Sequence, residues 1–273
     1  MKVAVLGSGS AGNATLVVAG NTRVLIDAGF SARDLARRLA HVGVRPEDVH
    51  AIVVTHDHAD HTRGAGVFAR RHGTPLFMTD PTRAACGPLL RGEEPVHAYR
   101  PGRPFAIGDA RVEPFLTVHD AADPVGVAVV AECPGFRLGV ATDLGRPTAQ
   151  TRHALARSDL LVLEANHDEV LLRTSAYPWS VKRRIASSHG HLSNQAAARF
   201  VVELLHPRLA GVVLAHLSNE CNTPQLALDV VGAALSGAGW RGHLEVASQH
   251  RPTALLDVEE LRARSGPEQI SFL

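Results

Sequence analysis

A chain of 273 residues that is 45% apolar and carries a formal charge of +1 has ample material for a core. It has no global basic field of the kind that marks a general nucleic-acid binder. It shows no run near the roughly twenty apolar residues of a membrane helix, and MKVAVLGSGS is too short in apolar residues for a signal peptide. Cys86, Cys133 and Cys221 are odd in number and lack metal-binding spacing, so a reducing, cytoplasmic setting is expected.

Val3–Leu6 reads as a strand running into Gly7-Ser8-Gly9-Ser10-Ala11-Gly12-Asn13. Backbone amides in such a small-residue turn either face an anion or serve a plain strand-to-strand connection. The spacing is not that of a dinucleotide-binding loop. Thr15–Ala19 and Arg23–Ile26 alternate about Gly20-Asn21 as a hairpin. Asp27, at the end of the second strand, reads equally as a turn cap and as a residue that orients a metal-ligating histidine. Ser31 caps a helix to about His41, with Leu35 and Leu39 on one face and Arg33, Arg37 and Arg38 on the other. Ala51–Val54 is a short buried strand. Thr62–His72 reads as helical, with Val67 and Phe68 inward and Arg70 and Arg71 outward. Pro75–Met78 is a strand, a helix starts at Asp80, and Leu90–Pro104, rich in Gly, Pro and Arg, reads as a loop.

In the second half Arg111–Val118 is a strand that ends at His119-Asp120. Val125–Glu132 and Phe136–Ala141 pair through Pro134-Gly135, and the latter ends at Thr142-Asp143. Leu160–Leu163 is a buried strand followed by Glu164-Ala165-Asn166-His167-Asp168. Tyr177–Ser187 reads as a helix, as does a segment opened by Gly190-His191-Leu192-Ser193-Asn194 and running to about Leu205. Gly211–Ala215 is a buried strand ending at His216. Leu244–Ala247 and Thr253–Leu256 complete the sheet, before a charged helix and a tail. With no repeat, linker or low-complexity tract, residues 1–273 read as a single domain.

The chemistry concentrates in Ala51–His61, AIVVTHDHADH, where an apolar strand breaks into H-x-H-x-D-H. Imidazole and carboxylate suit zinc, manganese or iron, and a tight turn on a buried strand can fix several of them at once. A strand ending in His or Asp recurs at His56, His119, Asp143, His167 and His216. In layered α/β folds such strand ends converge on the site, so these residues predict a metal centre.

These landmarks are similar to those of the metallo-β-lactamase-fold hydrolases over nearly the whole chain, in the order THDHADH, His119, Asp143 in ATDLG and His216 in LAHLSN. GSGSAGN, HDAADPVG, EANHD, YPWSVKRR, GHLSN and HLSNECNTP further resemble its YycJ/WalJ subgroup. The resemblance implies an α/β fold, an αβ/βα sandwich of two mixed sheets flanked by helices. It implies two divalent ions, zinc or manganese with iron as a further option. His56, His58 and His119 would hold one ion and Asp60, His61 and His216 the other, with Asp143 bridging; Asp60, Asp143 and His191 would be the catalytic residues. The activity implied is phosphodiester hydrolysis by a metal-bridging hydroxide, on DNA ends in the 5′-to-3′ direction, in DNA repair.

His191 would meet a phosphate oxygen or the leaving group, the bland reading being a cap through Ser193. His167 and Asp168 either buttress a ligand or touch substrate. Lys182, Arg183 and Arg184 either grip the nucleic-acid backbone or form a solvated face. The core leaves no room for the inserted domain of RNA-processing members, and the exosite arm of the tRNA-maturing branch is not evident. Hydrolysis of a small ester, thioester or cyclic phosphodiester is the rival reading. Diiron redox chemistry fits poorly, since that branch usually places a glutamate where His58 stands. A non-catalytic scaffold would not need the full ligand set.

Overall fold

The computed structural model describes residues 1–133 and 135–265, so Pro134 and the tail lie outside the described residues. Its first six strands are β1 (Lys2–Gly7), β2 (Ala14–Ala19), β3 (Thr22–Ile26), β4 (Ala51–Val53), β5 (Leu76–Met78) and β6 (Val96–Ala98). Then come β7 (Phe105–Ile107), β8 (Ala110–Leu116), β9 (Val125–Ala131) and β10 (Phe136–Ala141). The last are β11 (Leu160–Glu164), β12 (Gly211–Ala215), β13 (His243–Val246) and β14 (Leu256–Asp257). One sheet has the order β14-β1-β2-β3-β4-β5-β6 and the other β13-β12-β11-β10-β9-β8-β7. Each is antiparallel over one part and parallel over the rest, from β3 to β6 and from β10 to β13.

The period-two alternation of the strands divides their side chains between two cores. Val24 and Ile26 of β3 and Ala51 and Val53 of β4 face Val112, Val127, Val129, Val140 and Val162 of the opposite sheet. Leu25 and Ile52 point the other way, against Leu35 and Leu39 of helix Ala32–His41 and Phe68 of helix Ala65–His72. On the far side Leu161, Leu163, Val212 and Leu214 pack on Phe200 and Val201 of helix Asn194–Glu203 and on Val231 and Leu235 of helix Pro224–Gly237. The layers are therefore helix, sheet, sheet, helix. Each fully buried Leu or Val contributes about 1.5–3 kcal/mol to holding them together.

Several sequence expectations are corrected. The helix expected over Thr62–His72 is two, Ala59–Thr62 and Ala65–His72. They part at Gly64, where a Cβ would run into the Phe30 carbonyl. Val67 faces solvent, and Arg70 turns inward to pair with the buried carboxylate of Glu94. Arg38 is buried too: its guanidinium lies 3.8 Å from the Phe30 ring centre, bonds Asp34, and donates to the Leu6 and Gln249 carbonyls. Leu90–Pro104 is not all loop, because β6 lines up beside β5. Strand β7 and helices Ala149–Leu155, Glu169–Thr174 and Pro224–Gly237 were not foreseen. Most amides of the glycine-rich turn after β1 are engaged within the protein. Gly9 N donates to Asn13 Oδ1, Ala11 N to Gln249 Oε1 and Gly12 N to the Gly9 carbonyl. Among the described residues no helix is long and apolar enough to cross a membrane.

Candidate metal centre

The parallel strands deliver their carboxyl ends to one edge of the sandwich. There β3 ends at Asp27, β4 runs into Thr55 and His56, β10 into Asp143, and β12 into His216. Asp27, Asp143 and His216 adopt left-handed backbone angles, with φ of 64°, 56° and 57°. That conformation turns each side chain abruptly over the sheet edge, and Asp and His are among the residues that tolerate it best. Helix Ala59–Thr62 sets Asp60 and His61 into its first turn behind the cap residue His58. The turn packs so closely on the Ala28-Gly29 segment that a Cβ on Gly29 would collide with the Asp60 carbonyl.

Five histidines are tied down in the same manner. His61 Nδ1 lies 2.7 Å from Asp27 Oδ2, His119 Nδ1 lies 3.0 Å from the Gly190 carbonyl, and His216 Nδ1 lies 2.9 Å from Glu164 Oε1. His58 Nε2 lies 3.3 Å from the Asp120 carbonyl. His56 Nδ1 lies 3.0 Å from Thr55 Oγ1, whose own proton goes to Asp27. In every case the tied nitrogen faces an acceptor and keeps its proton, so the other nitrogen is the one turned to the centre, where a cation can take the place of any proton it carries.

Three sets of donors converge: His56, His58, His119 and Asp143; Asp60, His61 and His216; and Asp143, Glu164, His191 and His216. In the last, both oxygens of Glu164 are already taken by hydrogen bonds, so the first two are the sets open to an ion. Asp143 stands between them, with Oδ1 3.5 Å from His119 Nε2 and Oδ2 3.0 Å from His61 Nε2. His58 Nδ1 and His119 Nε2 are 3.3 Å apart, and His216 Nε2 is 3.4 Å from Asp60 Oδ2. A cation about 2.0–2.1 Å from tetrahedral ligands would hold them roughly 3.3 Å from one another, so the spacing fits. His56 Nε2 and Asp143 Oδ2 are buried without a hydrogen-bond partner. Polar atoms left this way are costly unless a ligand satisfies them. The donor set suits a divalent metal.

Electrostatics point the same way. Burial pushes the Asp143 carboxyl up, but the charges of His216 and His61 hold it well below its ordinary value. Burial pushes His61 down, and Asp143 and Asp27 raise it well above the usual imidazole range. For His56, burial and then the neighbouring His61 keep it well below that range and hence neutral. A carboxylate cluster this hungry for positive charge takes up protons or a cation.

Glu164 was missed by the sequence reading. Its Oε1 accepts from both His216 Nδ1 and His191 Nδ1, at 2.9 and 2.8 Å, and its Oε2 accepts from the Leu144 and Leu192 amides. Burial raises this carboxyl, but the charge and hydrogen bond of His191 pull it down to about 2. The signal was available: LLVLE is an apolar strand ending in an acid. His167 had been assigned to this strand end instead. It lies outside the ligand cluster, its backbone bridged to Ser193 and its Nδ1 unpartnered. Asn13 was also missed; its Nδ2 lies 3.2 Å from Asp60 Oδ2 and 3.1 Å from His61 Nε2.

The remaining expected residues separate by role. His191 sits over the centre, its ring 5.0 Å from that of His119 and 5.2 Å from that of His216. Ser193, not His191, caps the following helix. Asp168 caps helix Glu169–Thr174, and Lys182 Nζ donates to the Arg173 and Ser175 carbonyls at the other end of that helix. Arg184 pairs with Asp120 beside the centre and lines the pocket over it, of about 210 Å³. Arg183 lines a second cavity next door.

Residues 22–216 match the family model described as a beta-lactamase superfamily domain. The chain is 34% identical over 232 residues to exodeoxyribonuclease WalJ of Streptococcus pneumoniae serotype 2 (strain D39 / NCTC 7466), covering 83% of this chain and 85% of that relative. It is 34% identical over 239 residues to exodeoxyribonuclease YycJ of Bacillus anthracis, covering 86% and 89%. Among solved structures it is similar to the metallo-beta-lactamase fold protein YhfI from Bacillus subtilis, with a TM-score of 0.69, 18% identity, and coverage of 92% of this chain and 98% of that one. Zn(2+)-bound PqqB from Methylobacterium extorquens aligns with a TM-score of 0.67 at 15% identity, covering 93% and 100%. Layered sheets and a histidine–aspartate edge thus define the metallo-beta-lactamase fold. The chain belongs to the beta-lactamase superfamily, in the family that contains WalJ and YycJ.

Proposed function

We propose that the protein is a metal-dependent phosphodiesterase that removes nucleotides from DNA ends, with two divalent ions at the edge described above. The observation that carries this reading is the set of five histidines, each tied by one nitrogen and aiming the other at the centre, with Asp143 between the two groups. His56, His58 and His119 would hold one ion, Asp60, His61 and His216 the other, and Asp143 both; zinc and manganese suit these donors, and iron is compatible. When bound, the ions would supply a water of lowered pKa and positive charge against the phosphate oxygens. WalJ and YycJ are both exodeoxyribonucleases, which supports DNA as substrate, and the subgroup resemblance supports 5′-to-3′ polarity.

The residues divide the remaining work. Glu164 orients the His191 imidazole and holds its Nδ1–H. The free Nε2 edge of His191 is then placed to contact a phosphate oxygen or give a proton to the leaving oxygen. Arg184, at the pocket rim, offers charge to the approaching strand. The chain acts as a single domain, a reading supported by the core that both sheets share.

The test is cleavage of end-labelled linear DNA by manganese- or zinc-loaded protein, with Asp143→Ala as control. Stepwise loss from a 5′ end, abolished by chelator and by the substitution, is expected. Intact DNA alongside hydrolysis of bis-p-nitrophenyl phosphate would leave the metal chemistry standing and overturn the nucleic-acid reading.

A further inference from the structure

A cavity of about 520 Å³ adjoins the metal centre, with His191 lining both it and the pocket over the centre. Its volume falls in the range of roughly 300–1,000 Å³ usual for small-ligand sites, enough for a nucleotide and too little for a duplex. Its walls include His167, Leu192, Arg173, Arg183, Arg199 and Trp179. Trp179 opens helix Trp179–Ile185 and is 70% exposed, the highest value among the exposed large apolar residues. An indole this exposed beside a binding cavity presents a flat face to solvent.

Several of the charges around it also lack an acid partner among the described residues. Arg152 and Arg184 nearby are paired with Glu203 and Asp120. Arg173, Arg183 and Arg199 have no carboxylate partner among the described residues, and the one acid in the wall, Glu169, takes the hydroxyl proton of Ser193. Three guanidinium groups around one cavity repel each other, and an anion relieves the repulsion. A flat aromatic face next to cations that want an anion is the pairing by which single-stranded nucleic acids are held.

Resting on the reading of the metal centre as a DNA-cleaving site, we propose that this cavity takes a nucleotide of the DNA strand next to the scissile phosphate. The base stacks on Trp179 and the phosphate sits against Arg183 and Arg199. Stacking does not distinguish the bases, so the site grips any sequence and requires the strand to be single at this point.

Trp179→Ala and Trp179→Phe, compared with the wild-type protein, test this. With single-stranded DNA, Trp179→Ala should raise KM roughly 10- to 100-fold with kcat little changed, and Trp179→Phe should restore most of the loss. An abasic residue at the stacked position should erase the difference between wild type and Trp179→Ala. An unchanged KM for Trp179→Ala, or the same defect on abasic DNA, would overturn the proposal. Intrinsic fluorescence of the metal-free protein gives a readout that does not depend on cleavage. Trp179 and Trp240 are its only indoles. Oligothymidylate should quench the wild type saturably and leave Trp179→Phe unchanged. No quenching, or equal quenching by an abasic oligomer, would overturn the proposal even if DNA is a substrate. Quenching on concentration without DNA would assign Trp179 to a contact between copies and overturn it equally.

Discussion

Asp27 Oδ2 stands 2.7 Å from His61 Nδ1 in a fully buried pair, and the same carboxylate takes the Thr55 amide and hydroxyl through Oδ1. One side chain thus fixes the tautomer of His61 and the exit of β4. Asp27→Asn keeps the shape and tolerates the left-handed backbone, but weakens the acceptor. It should lower metal affinity about 10- to 100-fold with little change in the far-ultraviolet circular dichroism. Metal titration by calorimetry measures this, and unchanged affinity would remove Asp27 from the supporting set.

Glu164→Gln brings a donor into a site with no room for one. Both carboxylate oxygens already accept, from two imidazoles and two backbone amides. Whichever way the amide turns, its NH₂ meets a donor, so we expect a loss of about 1–3 kcal/mol in denaturant unfolding. Activity on bis-p-nitrophenyl phosphate should fall as well, because His191 and His216 lose a shared anchor. Full activity and stability in this variant would contradict the arrangement.

Gly29 touches the metal turn through its missing side chain. A Cβ there would collide with the Asp60 carbonyl, so Gly29→Ala must displace the turn that carries Asp60 and His61. We expect a loss of about 3 kcal/mol and of metal retention after dialysis, read by elemental analysis.

Removing the metal should weaken the fold. His56 Nε2 and Asp143 Oδ2 stay orphaned without it. An ion at a hundred times its Kd would stabilise the native state by about 2.7 kcal/mol. Chelator should therefore lower Tm by roughly 5–10 °C, reversibly on adding zinc or manganese.

Asp34 gives a pH dependence remote from the centre. Burial pushes its carboxyl up, yet hydrogen bonds and charge from Arg38 and Arg37 bring it below its ordinary value. A folded pKa below the unfolded one means stability that is fully present above about pH 4 and is lost as pH falls through the folded pKa. The stability gap between wild type and Asp34→Asn should be flat from pH 7 to 5 and should close on acidification below about 4. A gap that widened in acid would reverse the sign and refute the pairing. Arg38→Met, which strands the Leu6 and Gln249 carbonyls as well, should cost about 2–4 kcal/mol at pH 7.

Much of this architecture was legible because strands of a buried sheet are short apolar runs, and their ends are marked by sudden polarity. AIVV before THDHADH, LLVLE and GVVLA before His216 each declare both the strand and the edge it reaches. What was illegible depends on partners distant in the chain. Arg38 reads as a solvent-facing residue until the Leu6 and Gln249 carbonyls and the Phe30 ring are brought to it. The break at Gly64 follows from the Phe30 carbonyl, which no local pattern reveals. β6 has one half-buried residue, Val96, and two exposed ones, His97 and Ala98, and forms a strand only by lying beside β5. At the site, Asp27 left two readings open and the fold supplies the one in which it holds His61. Glu164 followed the same strand-end rule as the others but was passed over for the histidine three residues later.

The left-handed residues at the sheet edge bear on how such a centre can change over generations or in the laboratory. Asp27, Asp143 and His216 answer at once to the ligand geometry and to a backbone hand that most side chains resist by about 1–2 kcal/mol. A swap to glutamate, cysteine or methionine at Asp143 or His216, chosen to favour another ion, meets that resistance before any coordination is tried. The mutational neighbourhood open to these positions is narrow, centred on Asn, Asp, His and Gly. Diversity in this scaffold is therefore easier to find in the loops and the helix around Trp179 than in the residues proposed to hold the metal.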